Sequence, residues 1–162
     1  MAVDGRKMTY EILLFLHVIG ATVLLGTGAG IAFFMVISNL SNDPKLIAHV
    51  AGIVVIADTV FTASAAIIQP ITGYLLAREV GWPLFEGWVA LSLALYVFVG
   101  VFWLPVVWMQ IQMRNLALTA QKAGTPLPAR YHRLYHWWFV FGFPAFGAVM
   151  AIVWLMLTKP TF

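Results

Sequence analysis

The sequence predicts an all-α integral membrane protein, a four-helix transmembrane bundle that forms a single domain over residues 1–162. Two observations carry this prediction. Hydrophobic residues make up 62% of the chain and charged residues only 9%, and the mean hydropathy is +0.93. Soluble domains carry about 25% charged residues, so this surface is suited to lipid rather than water. The apolar residues also fall into four stretches, each long enough to cross a hydrocarbon layer about 30 Å thick.

The same composition excludes several classes of protein. It excludes a soluble enzyme, a disordered segment and a collagen-like fibre. A net charge of +3 and an isoelectric point near 9.5 do not make the chain a nucleic-acid module, because so few charges cannot form a solvated basic face. A membrane β-barrel is excluded because its short alternating segments are missing. The absence of cysteine excludes disulfides and thiolate metal sites.

The first span covers about residues 10–38 and has no charged residue between positions 12 and 42. The segment MAVDGRK precedes it, and the turn SNLSNDPK follows it, with Pro44 as a stop. The apolar run is far longer than the core of a secretory signal, and no small-residue cleavage site ends it. We therefore expect a transmembrane helix rather than a cleaved leader.

The second span covers about residues 46–78 and is interrupted by Asp58 and Pro70. Proline removes a backbone donor, so a kink is expected at Pro70. The span is longer than the roughly 20 residues that a bilayer requires. Its first turn, with His49, is therefore expected among the lipid headgroups unless the helix tilts.

The third span covers about residues 84–113 and the fourth about residues 135–158, which Lys159 and Pro160 close. Between them, residues 114–134 are expected to form a long polar connection that contains the breaker string GTPLP. Aromatic residues near the predicted ends suit an interfacial belt: Tyr10, Trp82, Trp88, Trp137 and Trp138.

Four spans place both termini on the same side of the membrane. Basic residues are concentrated in the expected long connection, which holds Arg114, Lys122, Arg130 and Arg133. Because cytoplasmic loops are enriched in Lys and Arg, this pattern favours a bacterial inner-membrane protein with periplasmic termini.

His17 is an ionisable residue inside the first span, where it needs a partner or a function. Gly20, Ala21, Leu24 and Gly28 share its helix face and leave a shallow groove beside the imidazole. A flat macrocycle can lie in such a groove with the histidine as its axial ligand. The alternative is a neutral histidine that donates one interhelical hydrogen bond.

Asp58 lies near the middle of the second span and begins a stripe of polar and small residues. At helical spacing Thr62, Ala65 or Ala66, Gln69 and Gly73 fall on nearly the same face. This face is expected to meet protein or a cavity, with Gln69 level with His17 as a partner for the imidazole or a ligand. A structural alternative is that Asp58 is protonated or paired with a hydroxyl.

Two further residues are candidate contacts for a bound group. Tyr96 falls on one arc of the third helix with Ser92, Trp103 and Gln110, where it can complete a polar and aromatic lining. Arg78 ends the second span and is placed to meet an anionic group such as a haem propionate. Its alternative role is that of an interfacial arginine.

The remaining histidines belong to the opposite side of the bundle. His132 and His136 are spaced i, i+4, which suits a shared metal ion, and His49 offers a third ligand. The alternative is that the segment RYHRLYHWW is a basic, aromatic interface attracted to anionic lipid.

Three segments carry a resemblance to a known family: LLFLHVIGATVLLGTGAG in the first helix, Asp58 followed by QPITG at 69–73, and Trp88 followed by ALYVFVGVFWLPVVWMQIQM. Over about residues 8–120 the chain resembles a family of small bacterial four-helix membrane proteins of unknown function. That family is similar to CopD-type copper-resistance proteins and HemJ-type haem-binding protoporphyrinogen oxidases, which share a histidine early in the first helix.

The resemblance implies that His17 is a haem ligand. The third helix lacks the lysine that the HemJ family needs, which argues against protoporphyrinogen oxidation. The methionines form no M-x-M or H-x-M cluster, which argues against copper. We therefore expect a protein that binds haem b and serves electron transfer or membrane redox chemistry, as an oxidoreductase if it is an enzyme.

The expected partners are the lipid bilayer and a redox protein, with a homodimer as one source of a second axial ligand. Two other functions stay open. One is a metal-ion or proton transporter that uses Asp58, Gln69 and the opposite-side histidines. The other is a structural or assembly subunit without a cofactor.

Overall fold

The computed structural model describes residues 2–161, and within that range its regular elements are all helical. The helices are α1 (Ala2–Leu40), α2 (Pro44–Ala57), α3 (Ala63–Val80), α4 (Gly87–Ala123) and α5 (Ala129–Thr158). A π-helical segment, Asp58–Thr62, joins α2 to α3 into one span. Four spans in the described range are long and apolar enough to cross a membrane: Lys7–Leu40, Pro44–Val80, Gly87–Ala123 and Ala129–Thr158. The predicted fold class is confirmed.

Local sequence signals set the helix ends. Asp43 caps α2, because its side chain accepts a hydrogen bond from the backbone nitrogen of Lys45 at 2.9 Å, and Pro44 occupies the first turn. Gly81 and Gly124 follow α3 and α4 with φ angles of 82° and 63°. This left-handed conformation suits glycine, so both positions are efficient stops.

The predicted long connection over residues 114–134 is wrong. The α4 helix continues to Ala123 and α5 begins at Ala129, so only residues 124–128 are non-helical. The sequence after Arg114 is rich in good helix formers, and two of its alanines, Ala117 and Ala120, are buried by packing. The string GTPLP alone forms the connection.

The second span departs from an α-helix within residues 58–62. The α3 helix runs through Pro70 without interruption, whereas residues 58–62 form the π-helical segment. There the backbone N–H of Ala63 donates to the carbonyl of Asp58, five residues earlier. The irregular turn therefore coincides with the buried aspartate rather than with the proline.

The bundle has two ends that differ in packing. At the terminal end, the start of α1 meets the last turn of α3 around Thr9 and Arg78, and Lys159 lies 4.8 Å above the ring of Trp82. The opposite end, which we call the core end, carries the α1–α2 and α4–α5 connections. Along the bundle α1 packs on the whole second span, while α4 packs on α5 and α2.

The main hydrophobic core lies at the core end. It joins α1, α2, α4 and α5 through these buried residues: Ile31, Met35, Ile47, Ala48, Ala51, Val54, Met109, Met113, Ala117, Tyr131 and Trp138. The α3 helix contributes nothing to this cluster and packs mainly on α1. The terminal end is therefore held by helix pairs rather than by a shared core.

The apolar surface is larger than that of a compact soluble protein. The described chain exposes 10051 Å², whereas a compact monomer of 18.0 kDa exposes about 8,000 Å². Large side chains such as Phe33, Phe34 and Trp154 are more than half exposed on the helix surfaces. Lipid contact accounts for this surface, since hydrocarbon covers apolar groups at no cost.

Several glycines on the helix surfaces do not bring helices together within the described chain. A Cβ atom built on Gly26, Gly30 or Gly147 would meet no other atom within 4 Å. By contrast Ala65 on α3 is buried. Close helix approach occurs instead between α1 and α3, at Gly20 and Gly73.

The two-ended packing predicts unequal effects of methionine truncation. Met35 is fully buried in the core cluster, so Met35→Ala should lower the unfolding free energy in detergent by about 2–5 kcal/mol. Met150 is 46% exposed, and Met150→Ala should change it by less than about 0.5 kcal/mol. If a denaturation series showed that both variants lose the same unfolding free energy, a hydrophobic core confined to the core end would be contradicted.

Candidate functional site

The second span carries a buried polar face, which consists of Asp58, Thr62, Gln69 and Thr72. Each of these side chains is 7% exposed or less. The face is covered by α1 along α3 and by α4 near the π-helical segment. The polar and small stripe expected from the sequence is therefore turned into the protein rather than toward lipid.

Asp58 lies at the centre of a hydrogen-bonded group that joins three spans. The indole Nε1 of Trp103 donates to its Oδ1 at 3.3 Å. With the Gln110 amide in the orientation that satisfies both its neighbours, the nitrogen donates to Asp58 Oδ2 at 3.1 Å. The oxygen of that amide accepts from Trp138 Nε1 at 3.2 Å. We call these four residues the Asp58 cluster.

The π-helical turn places Asp58 for this role. A π turn is wider than an α turn and accommodates one extra residue, and such turns are frequent at functional sites. The buried positions Val54, Asp58 and Thr62 follow one another at intervals of four residues across it. The wider turn keeps them on the side of the helix that α4 and α1 cover.

Three buried side-chain atoms have no hydrogen-bond partner within the described residues: Thr62 Oγ1, Gln69 Oε1 and Tyr131 Oη. The first two belong to the buried polar face, and Thr62 lies beside the Asp58 carboxyl. A buried polar atom without a partner costs about 1–3 kcal/mol, so each one calls for an explanation.

His17 contacts the same face nearer the terminal end. Its Nδ1 lies 2.8 Å from Thr72 Oγ1. The Thr72 hydroxyl has one proton, which it donates back to the carbonyl of Ile68 at 3.0 Å. Nδ1–H of His17 can therefore donate to Thr72 Oγ1, and that tautomer leaves a free lone pair on Nε2.

The imidazole packs directly on a glycine of α3. A Cβ atom at Gly73 would lie 3.1 Å from His17 Cε1, and one at Gly20 would lie 3.3 Å from Gln69 Cδ. Either contact is tighter than ordinary packing, so these glycines let α1 and α3 approach closely. Gln69 thus packs against α1 as expected, and the side chain that bonds to His17 is that of Thr72.

A recess opens beside His17 at the terminal end. It is lined by Thr9 and Leu13 of α1 and by Leu75, Arg78 and Glu79 of α3. Arg78 is exposed and also lies 5.8 Å from the centre of the Tyr74 ring. Its lining carries one basic and one acidic side chain, Arg78 and Glu79, and His17 lies about one turn along α1 from Leu13.

The arc expected on the third helix divides into two parts. Trp103 and Gln110 belong to the Asp58 cluster, whereas Tyr96 donates a short hydrogen bond to the carbonyl of Ala66. Ser92 is buried and donates to its own helix at Trp88. Tyr96 is therefore a tie between α4 and α3 near the middle of the bundle.

The opposite-side histidines do not gather into a metal site. His49, His132 and His136 are all exposed. In the described part of the chain no group of three or more His, Asp or Glu side chains is placed to share a metal ion. His132 and His136 lie on the exposed side of α5, whereas Tyr131 and Trp138 of the same helix are buried in the core cluster.

Residues 11–160 match the family model described as a predicted integral membrane protein, DUF2269. The chain belongs to this family. The match covers almost the whole chain and confirms the expected membership of a membrane-protein family of unknown function. No curated protein and no solved structure matches this DUF2269 protein.

Sequence reasoning missed two residues of this DUF2269 site. Trp138 is expected in the interfacial belt, yet it is only 5% exposed and bonds to Gln110. Thr72 lies between Ile71 and Gly73 and carries no signal apart from its place on the polar stripe. Trp138 becomes recognisable as a site residue only through its hydrogen bond to the Gln110 amide, and Thr72 only through its hydrogen bond to the His17 imidazole.

The glycine contacts of the DUF2269 site yield a matched pair of variants. Gly73→Ala should destabilise the α1–α3 pair by about 1–3 kcal/mol, because the new Cβ pushes on the His17 ring. Gly28→Ala meets no atom within 4 Å and should gain about 0.5–1 kcal/mol from helix propensity. Thermal unfolding in detergent measures both, and a Gly73→Ala protein as stable as Gly28→Ala would refute the close contact.

Proposed function

We propose that this protein binds haem b, with Nε2 of His17 as an axial ligand of the iron. The observation that carries the proposal is the hydrogen bond of His17 to Thr72. A ligating histidine commonly donates its other ring N–H to a fixed acceptor, which sets the tautomer and orients the ring. Thr72 supplies such an acceptor, and the contact with Gly73 fixes the ring plane.

The surroundings of His17 suit a large apolar ligand with acidic groups. Helix faces on both sides of the imidazole are apolar, and Arg78 lines the neighbouring recess together with Glu79, so a propionate there would have a cation to pair with. Gln69 contributes a buried amide oxygen that has no hydrogen-bond partner among the described residues. A bound b-type haem supplies one-electron redox chemistry, which makes membrane electron transfer with a redox partner protein the proposed role.

The other three histidines belong to the core end, so they cannot reach the same iron as His17. The second axial position therefore either stays open or is filled by a second copy of the chain in a homodimer. An open position would allow a membrane oxidoreductase reaction, whereas two histidine ligands favour electron transfer alone.

Like the CopD and HemJ families that it resembles, the chain has a histidine early in its first helix, His17. It differs from the HemJ pattern because α4 has no lysine at the corresponding place. The single lysine of α4, Lys122, lies in the last turn of the helix, at the core end. We therefore propose redox chemistry other than protoporphyrinogen oxidation. We place the protein in a bacterial inner membrane with periplasmic termini, since the basic residues cluster at the core end.

Absorbance of the purified protein tests haem binding. Protein prepared in mild detergent from haem-replete cells should show a Soret band, and His17→Ala should abolish it because the iron loses its ligand. His49→Ala is the matched control, since His49 is exposed at the other end, and it should keep the band. A colourless, folded wild-type protein would overturn the proposal and leave a transporter or a cofactor-free subunit.

The tautomer of His17 leads to a second prediction. Thr72→Val keeps the side-chain shape and removes the acceptor for Nδ1–H, so haem affinity should fall by about 10–100-fold. Ser64→Ala removes an exposed hydroxyl of the same helix that bonds only to its own backbone, and haem affinity should not change. Haem titration of the apoprotein measures both constants, and equal affinities would remove Thr72 from the site.

A further inference from the structure

Asp58 carries a carboxyl into the middle of the membrane without a basic partner. No Lys or Arg occurs at residues 12–42 of α1, 46–77 of the second span, 87–113 of α4 or 134–158 of α5. The titratable groups along these lengths are histidines and tyrosines: His17, His49, Tyr74, Tyr96, Tyr135 and His136. An ionised carboxylate here would lack a counter-charge, and such groups in membranes mark ion or proton pathways.

The hydrogen bonds of the Asp58 cluster favour a proton over a metal cation as the ligand of the Asp58 carboxyl. Trp103 and Gln110 direct one N–H group at each carboxylate oxygen. The positive ends of these dipoles repel a cation. Each oxygen still has a second lone pair, and the Thr62 hydroxyl lies beside the carboxyl, where it can donate a hydrogen bond to the ionised form. A proton on Asp58 would reverse that hydrogen bond, with Thr62 Oγ1 as the acceptor.

We propose that Asp58 is a reversible proton-binding site, loaded from the terminal end of the bundle. The proton binds to one carboxylate oxygen and is donated in a hydrogen bond to Thr62 Oγ1. The N–H groups of Trp103 and Gln110 stabilise the carboxylate once the proton has left. The site thus has hydrogen-bond partners in both charge states, as a group that loads and releases a proton requires.

Access to Asp58 is one-sided. Toward the core end, the cluster of Met35, Met109 and Met113 with Trp138 closes the bundle. Toward the terminal end, Gln69 lies on the same buried face, about two to three helical turns from Asp58, and its Oε1 has no partner in the described chain. We infer that internal water reaches Gln69 and Thr62 from the terminal side, since buried water typically bonds to such atoms.

This proposal does not rest on haem binding by His17. Asp58→Asn should leave the Soret band in place, whereas His17→Ala should leave the Asp58 proton in place. Either proposal can therefore fail while the other stands.

Infrared spectroscopy in lipid nanodiscs tests the site directly. Asp58 is the one buried carboxyl among the described side chains, so a protonated-carboxyl C=O band at neutral pH can be assigned to it. The band should decrease as the pH rises and should be missing in Asp58→Asn. Asp43→Asn is the matched control, because Asp43 is an exposed helix cap that asparagine replaces well, and it should keep the band.

Trp103→Phe provides a second variant that keeps the carboxyl. It removes one donor to the ionised form, so the band should persist to higher pH than in the wild type. The proposal fails if the wild-type band does not change with pH between about pH 5 and pH 9. It also fails if sodium ions, rather than pH, change the band.

The route of access is tested by exchange into deuterated water. Gln69→Leu and Thr62→Val each remove a polar atom from the path, and each should slow the deuterium shift of the carboxyl band by about tenfold. Ser64→Ala, on an exposed face of the same helix, should leave the rate unchanged. Unchanged rates in both path variants would overturn access along the buried polar face.

Discussion

The structure depends on one constraint, which is that the polar face of the second span must be kept out of hydrocarbon. Asp58, Thr62, Gln69 and Thr72 are all nearly fully buried, although most of the surrounding surface is apolar and exposed. In lipid no water satisfies such groups, so neighbouring helices must cover them. The packing of α1 on α3 and on the π-helical segment, and the hydrogen bond from Trp103 of α4 to Asp58, follow from that requirement.

Much of the fold was predictable from the sequence, because a helix that crosses hydrocarbon must be long and almost entirely apolar. Four long apolar runs defined the spans, and helical spacing placed Asp58 and Gln69 on one face. The helix ends were less predictable. The polar residues after Arg114 look like a loop, yet helix propensity and the burial of Ala117 extend α4 well beyond the expected span.

The remaining parts of the site depend on contacts that periodicity does not encode. A π turn changes the helical register by one residue, and nothing in DTVFT distinguishes it from an α-helical segment. Trp138 is an ordinary interfacial residue by composition and becomes part of a buried cluster only because Gln110 faces it across α4 and α5. Partner choice is a tertiary property, so it could not be obtained from one helix at a time.

The π-helical turn also sets how far α3 is rotated about the helix axis relative to α2. Each residue of an α-helix turns its successors by about 100°. Deleting one residue from Asp58–Thr62 and restoring a regular helix would therefore rotate α3 against α2. The buried groups of α2 would keep their partners on α4, while Gln69 and Thr72 would turn away from α1. The extra residue of the π turn thus lets the buried face of α2 meet α4 while the buried face of α3 meets α1.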